Sequence, residues 1–424
     1  MTGPAEVTGP AEVTGPAEVT GPAEVRGPAE PRLSVVFVLG LASGGTASHV
    51  STLADGCRAA GLAVSVLGPA PTLARLPAGI DRRVVPIGDV PHPARDAAAV
   101  RRIRRWIAVR QADVVHAHGV RAGALAALAI ASLRPRARPA LAVTVHNAPP
   151  DSRPARLVYI LLERICARRA DVVLCVSADL LGRLRRLGAD AEQFDVPAPR
   201  RPAPSDAHVA AARAELGTDG RPVVLAVARL APQKGLDVLI DAAARWRDRD
   251  PQPRTVIAGD GPLSGDLRTR ARQVGADVLF LGAREDVPAL LAAADVIVVP
   301  SRWEARALII QEAMRSGRPI VATRVGGTPE LTGTDGALLV RPDDAAALAD
   351  AVAAVLDDPS LAARLGAAAR TRSAAFPAEQ DAVRAVLATY TRLAARRAGR
   401  LRPPRDMPGS RPRRHLRTPI SKLG

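Results

Sequence analysis

One stretch of the chain, LSVVFVLGLASGGTASHVSTLADGCRAA (residues 33–60), joins a short apolar run to a helical pattern through a glycine-rich turn. The run Leu33–Leu39 is uncharged and rich in β-branched residues, which is typical of a strand buried on both faces. Glycines at 44 and 45 precede the helical pattern, which continues to Ala60. A strand that leads through a turn into a helix is the repeating unit of parallel α/β sheets.

The same alternation of strand and helix recurs along the chain, with one interruption. This interruption is a proline-rich segment at residues 197–206, where neither a helix nor a central strand can form. We expect further strands at Leu62–Leu67, Arg83–Ile87, Asp113–His116, Leu141–Val145, Asp171–Val176, Val223–Val227, Thr255–Ala258, Val278–Leu281, Val296–Val299 and Ile320–Thr323. The pattern predicts two parallel-sheet α/β domains joined by a hinge, with ligands beyond the carboxyl ends of the strands.

Composition narrows the class of protein. A chain of 424 residues with 47% hydrophobic and 24% charged residues has room for about two globular domains. Because it has no apolar signal core, no apolar span of ~20 residues and no paired cysteines, we expect a cytoplasmic location. The Thr-Gly-Pro-Ala-Glu-Val repeat within residues 1–31 and the Arg- and Pro-rich residues 398–424 predict disordered tails.

The net charge of +17 is a weak guide to partners, since only two of the 59 basic residues are lysines and the arginines follow a GC-rich composition. Aromatic residues make up 2% of the chain, so no basic segment has the stacking rings of a nucleic-acid site, and we expect no nucleic-acid partner. Arginines and apolar residues mix in the helix predicted at Arg95–Arg110. That helix either contacts the inner face of an anionic membrane or packs on the sheet as an ordinary surface helix.

Three histidines stand at predicted strand ends. His116 and His118 flank the end of one strand, with His118 expected in the following loop, and His146 ends another. Histidines at i and i+2 suggest a metal site, but no third ligand lies near them in the sequence. We therefore favour a hydrogen bond from His146 to a substrate.

Two basic residues follow the first strand of the second half. Arg229 ends this strand and Lys234, the only lysine before residue 422, precedes a helix. A lysine, an arginine and helix N–H groups at one junction suit a diphosphate. The alternative is a surface salt bridge at a helix entry.

Two carboxylates, Glu304 and Glu312, lie eight residues apart, about 12 Å along a helix. This separation exceeds the ~5 Å of a retaining glycosidase pair, so they either touch two ends of one elongated ligand or face solvent. A nicotinamide or flavin site is disfavoured, since residues 40–46 do not match Gly-x-Gly-x-x-Gly and no acidic residue ends the second strand.

Several motifs together resemble the family 4 retaining glycosyltransferases. Glu304 and Glu312, followed by AMRSGRPIVATRVGGTPE (residues 313–330), are similar to the signature of that family. Arg229–Gly235, Gly259–Pro262 and the turn Gly44-Gly45-x-x-x-His49-Val50 match the same family in the same order.

The resemblance implies a GT-B fold, in which two Rossmann-like, doubly wound parallel-sheet domains face each other across a cleft. The acceptor domain would comprise residues 32–199 and the nucleotide-sugar domain residues 200–375, with a helix at 376–397 crossing back to the first domain. Gly45 would let the first loop approach the donor or the acceptor.

For the site, the resemblance implies that Arg229 and Lys234 hold the donor diphosphate. Glu304 would contact the transferred sugar, Glu312 the nucleotide ribose, and His146 would lie by the reacting centre.

The implied reaction is metal-independent, retaining transfer of a hexose-type sugar from a nucleotide diphosphate sugar to a hydroxyl acceptor. This acceptor would be a glycan, a glycolipid or a small metabolite, as in cell-envelope glycan synthesis. The donor is a substrate, so no cofactor is expected. A GT-B sugar-nucleotide epimerase and a non-catalytic nucleotide-sugar-binding protein remain as alternatives.

The chain departs from the family pattern at Ala305-Arg306-Ala307, where Gly-Phe-Gly is usual, and at Phe194–Pro199, where a Pro-Asn-Gly-Val turn is usual. Arg306 would bind donor phosphate, bind an acidic acceptor or face solvent. The Asp-x-Asp at residues 248–250 follows a predicted helix and is interpreted as a solvated helix end.

Overall fold

A computed structural model describes residues 33–41, 44–88, 90–149, 152–217 and 220–401, without the side chains of Arg400 and Leu401. The predicted tails lie outside these residues, apart from residues 398–401, which continue the last helix.

The first lobe is built on a seven-stranded sheet of parallel strands in the order β3-β2-β1-β4-β5-β6-β7. Its elements, in chain order, are β1 (Ser34–Leu39), α1 (Gly45–Ala59), β2 (Ala63–Gly68), α2 (Ala70–Leu73), β3 (Asp81–Val84), α3 (Pro93–Arg110), β4 (Val114–His118), α4 (Val120–Ala131), β5 (Ala140–Val145), α5 (Arg153–Arg169), β6 (Val172–Cys175), α6 (Ala178–Arg186) and β7 (Ala191–Gln193).

The second lobe is built on six parallel strands in the order β10-β9-β8-β11-β12-β13. Its elements are α7 (Asp206–Glu215), β8 (Val223–Val227), α8 (Leu236–Ala244), β9 (Arg254–Ala258), α9 (Ser264–Val274), β10 (Val278–Gly282), α10 (Val287–Ala293), β11 (Val296–Val299), α11 (Leu308–Ser316), β12 (Ile320–Thr323), α12 (Thr328–Thr332), β13 (Leu338–Val340), α13 (Ala345–Asp357) and α14 (Pro359–Ala374). The predicted fold class, two doubly wound parallel sheets, is confirmed.

The central strands are buried on both faces, as their unbroken β-branched runs predict. The third strand begins at Asp81, two residues before the predicted start, and β4 extends to His118, so the expectation that His118 lies in a loop was wrong. The edge strands β7 and β13 were not predicted because each has only three residues.

The last helix, α15 (Glu379–Leu401), packs on the first lobe, although it follows the second in sequence. Its residues Val386, Tyr390 and Leu393 are buried in the same apolar core as β1 and β4. At the start of the helix, the Thr52 hydroxyl donates to the Glu379 carboxylate at 2.9 Å. The core of the first lobe is therefore completed by the C-terminal end of the fold.

The chain passes between the lobes through residues 196–205, and α11 fixes the first part of this segment. The buried side-chain amide of Gln311 accepts from the N–H of Ala198 at 3.0 Å and donates to the Val196 carbonyl at 2.9 Å. Among the described residues, no helix combines the length and the apolarity that a membrane span requires.

Candidate active site

A buried lysine–glutamate pair lies at the carboxyl edge of the second sheet. The Lys234 ammonium donates to Glu304 Oε1 at 2.6 Å, and the Ser301 hydroxyl donates to the same oxygen at 2.6 Å. The Glu304 side chain is 7% exposed and that of Lys234 22%. The structure thus brings together two of the predicted site residues, which stand 70 residues apart in the chain.

Glycine is required where the Lys234 turn meets the Glu304 loop. Gly235 has φ +60°, and a Cβ there would overlap the Pro300 carbonyl. The two loops are also joined by a hydrogen bond of 2.8 Å from the Arg302 N–H to the Gln233 carbonyl. The backbone, and not only the ion pair, therefore sets the position of Lys234.

Arg229 lies at the same edge of the sheet, just beyond β8. Its loop is held to the loop after β9 by a 3.0 Å bond from the Leu230 N–H to the Asp260 carbonyl. The Arg229 side chain is exposed and makes no hydrogen bond or ion pair with another described residue. Its guanidinium is therefore accessible to an anion.

The start of α11 also faces this edge. Within the described part of the chain, the N–H groups of Leu308, Ile309 and Ile310 make no hydrogen bond, because the first N–H groups of a helix have no carbonyl partner within it. Partner-free N–H groups at a helix N-terminus attract negative charge.

Glu312 lies on the second turn of α11, apart from the Lys234–Glu304 pair. Within the described residues, no hydrogen bond joins it to either of these side chains. Burial raises the pKa of Glu312, and the nearby charges of Arg201 and Arg315 partly oppose this effect. The structure therefore places Glu312 towards the interlobe segment.

Four imidazoles cluster at the carboxyl edge of the first sheet. His118 Nδ1 lies 3.1 Å from His146 Nε2, and these two rings are stacked with 5.4 Å between their centroids. His49, on the second turn of α1, packs edge-on against both rings. His116 lies deeper, hydrogen-bonded to Tyr390 at 2.6 Å and to Thr144 at 2.7 Å.

All four imidazoles are neutral at pH 7. Burial lowers the pKa of His116 to about 3 and that of His146 to about 4, and burial together with the neighbouring imidazoles lowers the pKa values of His49 and His118 well below 6.5. The cluster therefore offers hydrogen bonds rather than positive charge. No three His, Cys, Asp or Glu side chains in the described chain are arranged to hold a metal ion.

The two edges touch through the loop that follows β11. A Cβ at Gly45, the first residue of α1, would lie 2.9 Å from Leu308 Cδ1, so the starts of α1 and α11 abut. Ala305 is buried in the core of the first lobe, with Trp303 packed against it.

Three residues of this region were not predicted as a group: Arg306, Asp195 and Glu330. The Arg306 side chain, 8% exposed, lies 2.9 Å from Asp195 Oδ1 and 3.7 Å from Glu330 Oε1. It does not face solvent. In the family pattern this position is usually an aromatic residue, which has no charge. The pattern therefore gave no reason to expect carboxylate partners here.

Two other sequence features have structural roles. The apolar side of α3 is used in packing, since Ile103 and Ile107 are buried. Asp248 and Asp250 are exposed beyond the end of α8, away from the site.

Two Rossmann-like domains with adjoining carboxyl edges define the GT-B class of fold. In agreement, residues 43–196 match the model of Glycosyltransferase Family 4, and residues 221–358 match that of Glycosyl transferases group 1. The phosphatidyl-myo-inositol mannosyltransferase of Mycobacterium tuberculosis is 32% identical over 349 residues, covering 77% of this chain and 87% of the relative. The chain belongs to glycosyltransferase family 4.

Other relatives are similar over shorter stretches. The alpha-D-kanosaminyltransferase of Streptomyces kanamyceticus is 40% identical over 170 residues, or 38% of this chain and 44% of the relative. This chain therefore spans less than half the length of that relative.

Solved structures share the fold. Anabaena Alr3699/HepE in complex with UDP-glucose has a TM-score of 0.73 at 22% identity, covering 85% of this chain and all of that one. Sucrose-phosphate synthase from Thermosynechococcus elongatus has a TM-score of 0.69 at 23% identity, covering 86% of this chain and all of that one.

Proposed function

We propose that this protein transfers a hexose from a nucleotide diphosphate sugar to a hydroxyl group, with retention at the anomeric carbon and without a metal ion. The observation that carries the proposal is the buried Lys234–Glu304 pair beside the partner-free N–H groups of α11. A cation, a carboxylate and a helix N-terminus at one point suit a sugar linked to phosphate.

In this proposal Lys234, Arg229 and the start of α11 bind the diphosphate. Glu304 accepts hydrogen bonds from hydroxyls of the transferred sugar, and Glu312, one turn further along α11, binds the ribose. Cations and N–H dipoles aimed at a leaving phosphate stabilise the negative charge that develops on it, and one such group is typically worth about 2.7–4 kcal/mol.

The proposed chemistry needs no carboxylate nucleophile. The bond between the anomeric carbon and the phosphate oxygen breaks, and the acceptor oxygen bonds to the same face of that carbon. The acceptor proton passes to the departing phosphate oxygen. His146, neutral at pH 7, contributes a hydrogen bond at the reacting centre rather than a charge.

The relatives support sugar transfer without fixing the substrates. One is named GDP-mannose-dependent, and Alr3699/HepE was solved with UDP and with UDP-glucose. The test of the present chain therefore includes both GDP-linked and UDP-linked sugars.

The test incubates the full chain with UDP- and GDP-linked glucose, galactose, mannose and N-acetylglucosamine, each with inositol, glycolipid and oligosaccharide acceptors. We expect transfer that persists in EDTA, and a product whose one-bond coupling between the anomeric carbon and its proton shows the same anomeric configuration as the donor. An inverted product or activity lost in EDTA would overturn the corresponding part of the proposal. Donor isomerisation alone would indicate an epimerase, and binding without turnover a non-catalytic protein.

We also propose that the first lobe contacts an anionic membrane through α5 rather than through α3. The eight large apolar side chains exposed on the described surface all lie between residues 41 and 161, and Leu157, Val158 and Leu161 share α5. Exposed arginines at 153, 156 and 164 accompany them. Apolar and basic side chains on one helix suit an interface with anionic lipid.

Flotation with vesicles of phosphatidylcholine, with and without 30% phosphatidylglycerol, tests this contact. We expect binding to the anionic vesicles only, and its loss in the double variant Leu157→Ser/Leu161→Ser. Leu128→Ser, which changes an exposed leucine on α4, is the matched control. Equal recovery with both vesicle types, or full binding by the double variant, would refute the contact.

A further inference from the structure

Arg306 connects the two lobes at the candidate site. It lies in the loop between β11 and α11, two residues after Glu304, and its guanidinium contacts Asp195 Oδ1 at 2.9 Å. Asp195 follows β7, the last strand of the first sheet. The ion pair therefore joins the loop that carries Glu304 to the end of the other lobe.

A second carboxylate, that of Glu330, extends the contact. Glu330 lies on α12 in the second lobe, with Oε1 3.7 Å from the Arg306 guanidinium. Its other oxygen, Oε2, accepts from the N–H of Ala178 at 3.2 Å. The side-chain amide of Gln193 donates to Oε1. Two residues of the second lobe and three of the first thus form one interlobe polar cluster: Arg306, Glu330, Asp195, Gln193 and Ala178.

The cluster is attached to the backbone on which Glu304 stands. The N–H of Gly327 donates to the Glu304 carbonyl at 2.9 Å, and a Cβ at Gly326 or Gly327 would overlap the carbonyls of Glu304 and Ala305. The turn before α12 therefore packs directly on the loop that carries Glu304 and Arg306.

Arg306 is the only cation among the five residues of this cluster, which has a net negative charge even with it. One guanidinium faces two carboxylates, and its Nε is buried without a hydrogen-bond partner in the described residues. Loss of the guanidinium would leave Asp195 and Glu330 facing each other across the lobes, where like charges repel. An arginine already paired in this way is poorly placed to neutralise a donor phosphate as well.

We propose that Arg306 is a positioning residue that couples closure of the lobes to the placement of Glu304, and that it does not bind the donor phosphate. The role assigned to Glu304 rests on the proposed function, but the coupling between the loop and the first lobe does not. When Arg306 leaves Asp195, the loop at residues 303–308 loses its ion pair to the first lobe and is held there only by apolar packing.

The test compares Arg306→Gln, Asp195→Asn and the double variant in the full chain, by hydrogen–deuterium exchange without ligand and by titration with UDP and with GDP. Arg249→Gln, which breaks an ion pair within the second lobe, is the matched control. We expect either single change to speed exchange in segments 191–197 and 303–312 together, by about tenfold. The double variant should be no worse than Arg306→Gln, and the control unchanged.

The nucleotide titrations separate the two roles of Arg306. If it positions the loop, both single variants weaken binding of whichever nucleotide the parent binds. If it binds phosphate, Asp195→Asn leaves binding unchanged or tightens it, and the proposal is wrong. Exchange confined to segment 303–312 would also refute the coupling. If neither nucleotide binds the parent protein, the proposed function is contradicted. The hydrogen–deuterium exchange data still decide whether the loop is coupled to the first lobe.

Discussion

The neutral imidazole cluster predicts a steep loss of stability on mild acidification. In the unfolded chain the imidazoles of His49, His116, His118 and His146 have their ordinary pKa near 6.5, whereas in the fold their pKa values are lowered, to about 3 for His116 and about 4 for His146. The unfolded state therefore binds more protons as the pH falls through 6.5. Stability is full above pH 6.5 and declines below it until the folded pKa values are passed.

The magnitude follows from the size of the pH step. At pH 5.5, one unit below the unfolded pKa, each imidazole that stays neutral costs roughly 1.4 kcal/mol. Four of them remove about 5.6 kcal/mol, which is comparable with the ~5–15 kcal/mol of a typical domain. Unfolding should then take up between about three and four protons at this pH.

Urea unfolding followed by far-UV circular dichroism between pH 7.5 and 5.5 measures the effect. The slope of the free energy of unfolding against pH gives the proton uptake directly. His49→Gln should reduce the uptake by about one. An uptake of one proton or fewer in the parent protein would refute the conclusion that the four imidazoles are neutral.

Three further changes test the site and the core. Lys234→Ala should lower turnover at least about a hundredfold, since one preorganised charge at a leaving phosphate is worth about 2.7–4 kcal/mol. Initial rates measure this effect. An unchanged rate in a variant with an intact circular dichroism spectrum would contradict it. Arg183→Ala should cost about 3–5 kcal/mol in urea unfolding because it strands the fully buried Glu163 carboxylate, and adding Glu163→Gln should recover part of the loss. Gly235→Ala should lower the free energy of unfolding by more than ~1 kcal/mol, since the residue has φ +60° and no room for a Cβ; equal stability in the same titration would show that the turn relaxes.

Much of the fold is predictable from the sequence because the central strands are continuous apolar runs. Val296–Val299 and Ile320–Thr323 have the predicted bounds, since a strand buried on both faces is mostly apolar and β-branched along its whole length. The edge strands β7 and β13 have only three residues each, too few for a pattern, and they depend on their neighbours for pairing.

The candidate site was predictable where a single residue is unusual in its setting. Lys234 is conspicuous because the chain has only two lysines, and Glu304 is conspicuous because of its spacing to Glu312. The structure pairs Lys234 with Glu304. The partner of Arg306 was not predictable, because Asp195 lies in the other lobe and an ion pair between distant segments leaves no periodic signal. The catalytic and binding roles of all the predicted site residues stay predictions: Gly45, His146, Arg229, Lys234, Glu304 and Glu312.

The return of α15 to the first lobe has a consequence for hybrid enzymes. A chimera spliced only at residues 197–206 would seat one parent's terminal helix against the other parent's sheet, with Tyr390 facing a foreign His116. Such exchanges need two crossover points, so the first lobe is inherited as two separate pieces of gene.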